Sequence, residues 1–189
     1  MRIEIRGKTV HISGYVNAVE RDSKVLQGAE GSFIERAEAG VFRRALERAN
    51  DVKMKLNHGR DIASTGQGNL RLREDNVGLF AEADVIDAET IREARAGNLT
   101  GWSFGFMDLA PCYDEGKPGE IRKRTLREID LQEVSVLTIP PAYIATSVEV
   151  RCEGAASEIR STEDAPDITI RTNAAEMAAY RLRRMKLEE

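Results

Sequence analysis

Residues 69–109, NLRLREDNVGLFAEADVIDAETIREARAGNLTGWSFGFMDL, decide the fold class. LRLRED and GLFAEADVI both alternate apolar with polar residues, the period of a half-buried strand. The turn-forming pair Asp75-Asn76 joins them, so residues 69–86 read as a hairpin of antiparallel strands. Then the period changes. Asp87 can cap a helix through AETIREARAG, and Gly97 fits its C-terminal end. Period two returns at 101–109, where Trp102, Phe104 and Phe106 share one face and Ser103, Gly105 and Met107 the other.

Outward from this stretch the pattern continues. RIEIRGKTVHISGYVNAV, punctuated by Gly7 and Gly14, reads as two short strands, and GVFRRALERAND as a helix from Gly40 to near Asn50. VKMKLNH alternates again, with Val52, Met54 and Leu56 on one face, two lysines on the other, and His58 on the apolar side. A polar loop from Pro111 to Glu120 precedes two further strands, IRKRTLREI and LQEVSVLTI, and Pro140-Pro141 stops any continuation. About eight strands against two helices predict an α+β domain built on a mostly antiparallel β-barrel of about seven to eight strands flanked by helices. After Arg151 large apolar residues become scarce. Residues 1–151 therefore read as the folded domain, 152–172 as a polar linker or tail, and 173–189 as a short amphipathic helix.

The chain has 189 residues, 41% of them apolar, enough for one domain with a hydrophobic core. Its net charge of -4 supplies no positive field for nucleic acid or anionic lipid, so neither is expected as a partner. No apolar run reaches the roughly eighteen residues of a membrane span, and MRIEIRGKTV lacks the apolar core of a secretory signal. The cytoplasm is the expected compartment. Cys112 and Cys152 are far apart and form no C-x-x-C, which reads as two reduced thiols. His11 and His58 share no H-x-x-x-H spacing, so no metal site is expected.

One serine between two aromatics, with glycines close on both sides, poses a chemical question. The face carrying Ser103 is nearly bare, as it must be where a substrate backbone approaches a nucleophile. A serine hydroxyl needs a base, and histidine is the usual one near neutral pH. His58, in LNHGRD, is placed at a strand end where its ring need not be buried. A third group should accept the other ring N–H. Glu133 is the first candidate, because a lone carboxylate inside the otherwise apolar LQEVSVL is costly without a partner. Asp61 and Asp130 follow it, and His11 would complete a Ser-His-His arrangement.

Taken in order, LNHGRD, NLRLREDNVGLFAEADV, GNLTGWSFGF and RTLREIDLQEVSVLTIPPAY resemble the phage prohead maturation proteases, serine peptidases related in fold to the herpesvirus assemblins. The similarity covers most of residues 1–151 and rests on several short motifs in one order. The doubled Pro140-Pro141 departs from the pattern, and herpesvirus relatives use a second histidine where phage members use a carboxylate. The resemblance implies a herpesvirus-protease-like fold, a catalytic pair of His58 and Ser103 with Glu133 as third member, and no cofactor. It also implies scaffold and capsid-protein segments as substrates, action inside the procapsid within the bacterial host, self-cleavage, and a possible homodimer. The alternative is a non-catalytic assembly or scaffold protein that retains the fold.

Overall fold

Alternating apolar residues place Ile3, Val10 and Ile12 in the core, and Gly7 reverses the chain between the first two strands with φ of 60°. The computed structural model describes residues 1–28, 31–114, 120–139 and 149–152. In chain order the first elements are β1 (Arg2–Arg6), β2 (Thr9–Ala18), β3 (Leu26–Gly28), β4 (Gly31–Ala37) and α1 (Val41–Arg48). There follow β5 (Lys53–Leu56), β6 (Arg60–Ser64), β7 (Leu70–Glu74), β8 (Gly78–Val85) and α2 (Ala88–Arg95). The last are β9 (Gly101–Asp108), β10 (Cys112–Asp114), β11 (Arg122–Leu126), β12 (Ile129–Leu137) and β13 (Glu149–Cys152). The predicted α+β class holds.

The expected barrel is not what these strands form. They make three sheets, ordered β13-β1-β2-β8-β7, β10-β11-β4-β3 and β6-β5-β12-β9. Among the described residues each sheet keeps two edge strands, so the hydrogen-bonded ladders do not close into a ring. The strand count also exceeds the expectation, because β3, β4, β6, β10 and β13 do not show in the apolar pattern. β4 illustrates why. Its inward positions are Phe33, Glu35 and Ala37, and the buried Glu35 breaks the alternation while pairing with Arg124 of β11 at 3.4 Å. Likewise β10 lies in what reads as a polar loop, and its Cys112 carries a free thiol. Of the linker expected over 152–172 only Cys152 is described, and it ends strand β13 instead; the rest of that stretch, the helix expected at 173–189 and Pro140-Pro141 lie outside the described residues.

Most pairings are antiparallel, but β1–β13, β4–β11 and β5–β12 are parallel. The last of these matters most for the site, because it joins the chain around His58 to the chain around Glu133. The hairpin of β7 and β8 forms as expected, with the Asp75 carboxylate accepting the N–H groups of Val77 and Gly78 across the turn. Asp87 caps α2 by accepting the Thr90 N–H at 2.9 Å, and Gly97 ends it with φ of 71°.

Helix α1 has no side-chain cap of its own. Glu74, from β7, supplies one by accepting the N–H groups of Gly40 (2.5 Å) and Arg43 (2.6 Å), a carboxylate at the positive end of a helix. On its other side Phe42 meets Phe104 of β9 edge-to-face at 5.3 Å. So α1 fastens the first sheet to the third, and the aromatic face of β9 is held against it. Trp102, Phe42, Leu126, Ile129 and Val134 belong to one continuous core beneath.

Candidate active site

Because Trp102 and Phe104 are committed to the core, strand geometry turns Ser103 to the opposite face, where it is partly accessible. β9 pairs antiparallel with β12 so that Ser103 lies opposite Ser135 and Gly105 opposite Glu133. Directly opposed residues share a face. A bulge at the Leu131/Glu133 step resets the alternation, so Glu133 and Ser135 point with Ser103 while Val134 and Val136 stay in the core. On the other side of β12, β5 runs parallel and sets Lys55 beside Ser135.

His58 arrives from the turn that follows β5. Gly59 N–H closes the turn on the Leu56 carbonyl at 3.0 Å, and both central residues are left-handed, Asn57 at φ 51° and His58 at φ 59°. This is the signature of a type I′ turn, whose second central position normally holds glycine. Here the glycine comes one residue later, and the imidazole occupies the strained position. His58 therefore lies beyond the strand and outside its alternation, and its side chain is 44% exposed. The expectation that it sits on the apolar side of β5 does not hold. Asn57 holds the turn in place. Its N–H donates to the Val136 carbonyl at 2.9 Å, its side-chain Nδ2 to Thr138 Oγ1 at 3.0 Å, and its Oδ1 accepts the Thr138 N–H at 2.9 Å. The turn is thus pinned to the end of the strand that carries Glu133.

The result is a short contact: His58 Nδ1 lies 2.5 Å from Glu133 Oε1. A carboxylate can only accept, so in the neutral imidazole this contact puts the proton on Nδ1 and leaves Nε2 its lone pair. Ser135 Oγ is 3.3 Å from Glu133 Oε1, to which it donates, and 3.3 Å from His58 Nδ1. Glu133 Oε2 faces Lys55 Nζ at 3.6 Å, and that ammonium also binds Asp61 Oδ1 at 2.9 Å. The hydrogen bond to Asp61, assisted by the charges of Asp61 and Glu133 and opposed by partial burial, raises the Lys55 ammonium above its ordinary range. Lys55 is accordingly a cation at every physiological pH.

Gly105 has a different reason from the one its setting suggests. A Cβ built there would lie 2.7 Å from Glu133 Cγ, so the bare patch beside Ser103 is occupied by the Glu133 side chain crossing it. Of the weaker third-group candidates, Asp61 reaches the cluster, among the described residues, through Lys55. Asp130 is paired with Met107 on the far side of the bulge, away from His58. His11 belongs to the first sheet, where its Nδ1 pairs with Asp84 at 2.9 Å, so no Ser-His-His arrangement forms. Among the described residues the Ser103 hydroxyl makes no hydrogen bond, to the imidazole or to any other group.

A family model described as caudovirus prohead serine protease matches residues 1–160. The chain belongs to that family. No curated protein and no solved structure gives a significant match. As a member of the prohead serine proteases the chain falls among serine peptidases of phage capsid maturation. The matched span includes every residue of the cluster just described.

Sequence reasoning passed over Ser135, Lys55 and Asn57. Ser135 had a signal, since it stands two residues from Glu133 and so on its face. Lys55 had half of one, its side of β5 being plain, but its partner became visible only with the parallel pairing of β5 to β12.

Proposed function

We propose that the chain is a serine endopeptidase that cleaves scaffold and capsid-protein segments within the assembled procapsid, with Ser103 as nucleophile, His58 as general base and acid, and Glu133 as the group that orients the imidazole. The observation that supports it is the His58 Nδ1 to Glu133 Oε1 contact on the face shared with Ser103. That contact leaves Nε2 as the basic nitrogen. As Ser103 Oγ bonds to the scissile carbonyl carbon, its proton passes to Nε2, and Glu133 stabilises the imidazolium that forms. The same proton goes to the departing amine as the C–N bond breaks. Water then attacks the acyl-enzyme, returning a proton through Nε2 to Ser103. Backbone N–H groups would stabilise the oxyanion.

Ser135 is the competing hydroxyl, and burial argues against it. Ser135 has no exposed surface, whereas Ser103 is partly accessible. Moreover Ser135 stands on the Nδ1 side of the ring, where the nitrogen already donates to Glu133 and has no lone pair to accept a proton.

Residues 1–151 would form the protease domain, and the polar stretch 152–172 would hold a self-processing site. Confinement with its substrates raises their effective concentration, so a slow enzyme suffices. A homodimer, as in the herpesvirus relatives, is compatible with this reading.

The test is coexpression with the cognate capsid and scaffold proteins, read by gel and intact mass, for wild type, Ser103→Ala and Ser135→Ala. Removing a triad nucleophile lowers rate by about a millionfold, so fragments should vanish in Ser103→Ala alone. Fragments that persist in Ser103→Ala, or vanish only in Ser135→Ala, would overturn the assignment. Their absence from every sample despite procapsid formation would favour a non-catalytic assembly role.

A further inference from the structure

Glu133 has two carboxylate oxygens, and the structure gives each a separate partner. Oε1 faces His58 Nδ1 at 2.5 Å and Oε2 faces Lys55 Nζ at 3.6 Å. Rotation of a glutamate carboxylate about its last torsion is broad and nearly free, so a single hydrogen bond does not fix its plane. A second anchor does. Lys55 is itself held, because Asp61, its register partner on β6, binds the same ammonium at 2.9 Å. Gly105 leaves the carboxylate no Cβ to avoid, and Ser135 donates to Oε1 from beneath. Asp61, Lys55, Glu133 and His58 thus form a line of alternating charge that ends on the imidazole, and β5, β6 and β12 all contribute to it.

We propose that Lys55 is a positioning residue, clamped by Asp61, which anchors Glu133 Oε2 so that Oε1 remains on His58 Nδ1. The proposal rests on the reading of Ser103, His58 and Glu133 given above. Lys55 touches no reacting atom and acts through Glu133 alone. Its effect must therefore depend on Glu133 being a carboxylate.

A fluorophosphonate that phosphonylates activated serines reads nucleophile activation without knowledge of the cleavage sequence. Labelling rates would be measured on the full chain for wild type, Lys55→Met, Lys55→Gln, Lys55→Arg, Glu133→Gln, the double variant Lys55→Met/Glu133→Gln, and Ser103→Ala, with thermal unfolding of each. Both neutral Lys55 variants should fold and label about ten- to a hundredfold more slowly, the usual scale for a partner that orients a functional ligand. Lys55→Arg should recover most of the rate. In the Glu133→Gln background Lys55→Met should cause no further loss, a coupling that a general structural defect would not produce. Wild-type labelling rates in the folded neutral variants overturn the clamp, as does an equal loss with and without the Glu133 carboxylate. If Ser103→Ala labels as fast as wild type, the underlying assignment fails and the Lys55 role falls with it.

Discussion

His58 and Glu133 are 75 residues apart in sequence, yet Nδ1 and Oε1 meet at 2.5 Å because a left-handed turn after β5 is tied to the end of β12. The tie is made by backbone and amide groups of Asn57 to Val136 and Thr138. The geometry of the candidate site is thus set by strand pairing first and side-chain choice second. β5 and β12 lie parallel in register, and the turn then has one place to go.

Glu133→Gln should retain the shape of the site and lose its function. An amide can offer an N–H to Nδ1, which favours the tautomer with the proton on Nε2 and, in the proposed mechanism, would deprive Ser103 of its base. In a triad that loss is about ten-thousandfold in rate. Fluorophosphonate labelling and cleavage of a coexpressed scaffold should fall together, with the melting temperature nearly unchanged. Retention of more than a tenth of the wild-type labelling rate would show that Glu133 does not orient the base.

Gly105→Ala should act on the same carboxylate from the other side. The new Cβ would come within 2.7 Å of Glu133 Cγ, closer than any real contact tolerates, so the side chain must move off His58. Activity should drop by a factor comparable to loss of the carboxylate, and Gly105→Ala/Glu133→Ala should be more stable than the sum of the single variants allows. Additive stabilities would mean that the methyl finds room elsewhere.

The charge pair at the base of the β5–β6 hairpin offers a pH test. Lys53 and the Gly66 N–H hold the Asp51 carboxyl down to about 2. A carboxylate depressed in the folded state stabilises fully above its unfolded pKa of about 4, and that contribution disappears as pH falls through the folded value. Wild type should therefore melt higher than Asp51→Asn at neutral pH, and the gap should close between about pH 4 and pH 2. A gap that is constant with pH would assign the effect to packing against Gly66 instead.

What the sequence discloses and what it hides divide along physical lines. The hairpin at 69–86, both helices and the strands around Ser103 and Glu133 are legible because each buries one face and so carries a clean period. β4 is hidden because its inward set includes Glu35, whose cost is met by Arg124 from a strand far along the chain. The three-sheet arrangement is hidden because it depends on parallel pairings between distant segments, which local alternation does not encode. The same division runs through the site. Glu133 stands out as a carboxylate in an apolar strand, and Ser103 as a hydroxyl among aromatics, whereas the reason for Gly105 and the pairing of Lys55 need the register of β12 with both its neighbours.

The backbone of His58 allows stability and function to be separated. At φ 59° it occupies a position where a side chain costs roughly 1–2 kcal/mol relative to glycine. His58→Ala and His58→Gly both delete the imidazole and its bond to Glu133, so both should abolish activity equally. They differ in the Cβ. If the turn keeps its left-handed geometry, His58→Gly should be the more stable of the two by about 1 kcal/mol, the reverse of the usual order, in which glycine is the worse for its unfolded-state entropy. Chemical denaturation of the two variants measures the difference directly. Alanine equal to or more stable than glycine would mean that the turn relaxes once the imidazole is gone, and that the contact with Glu133, not the pinning of Asn57, holds it left-handed.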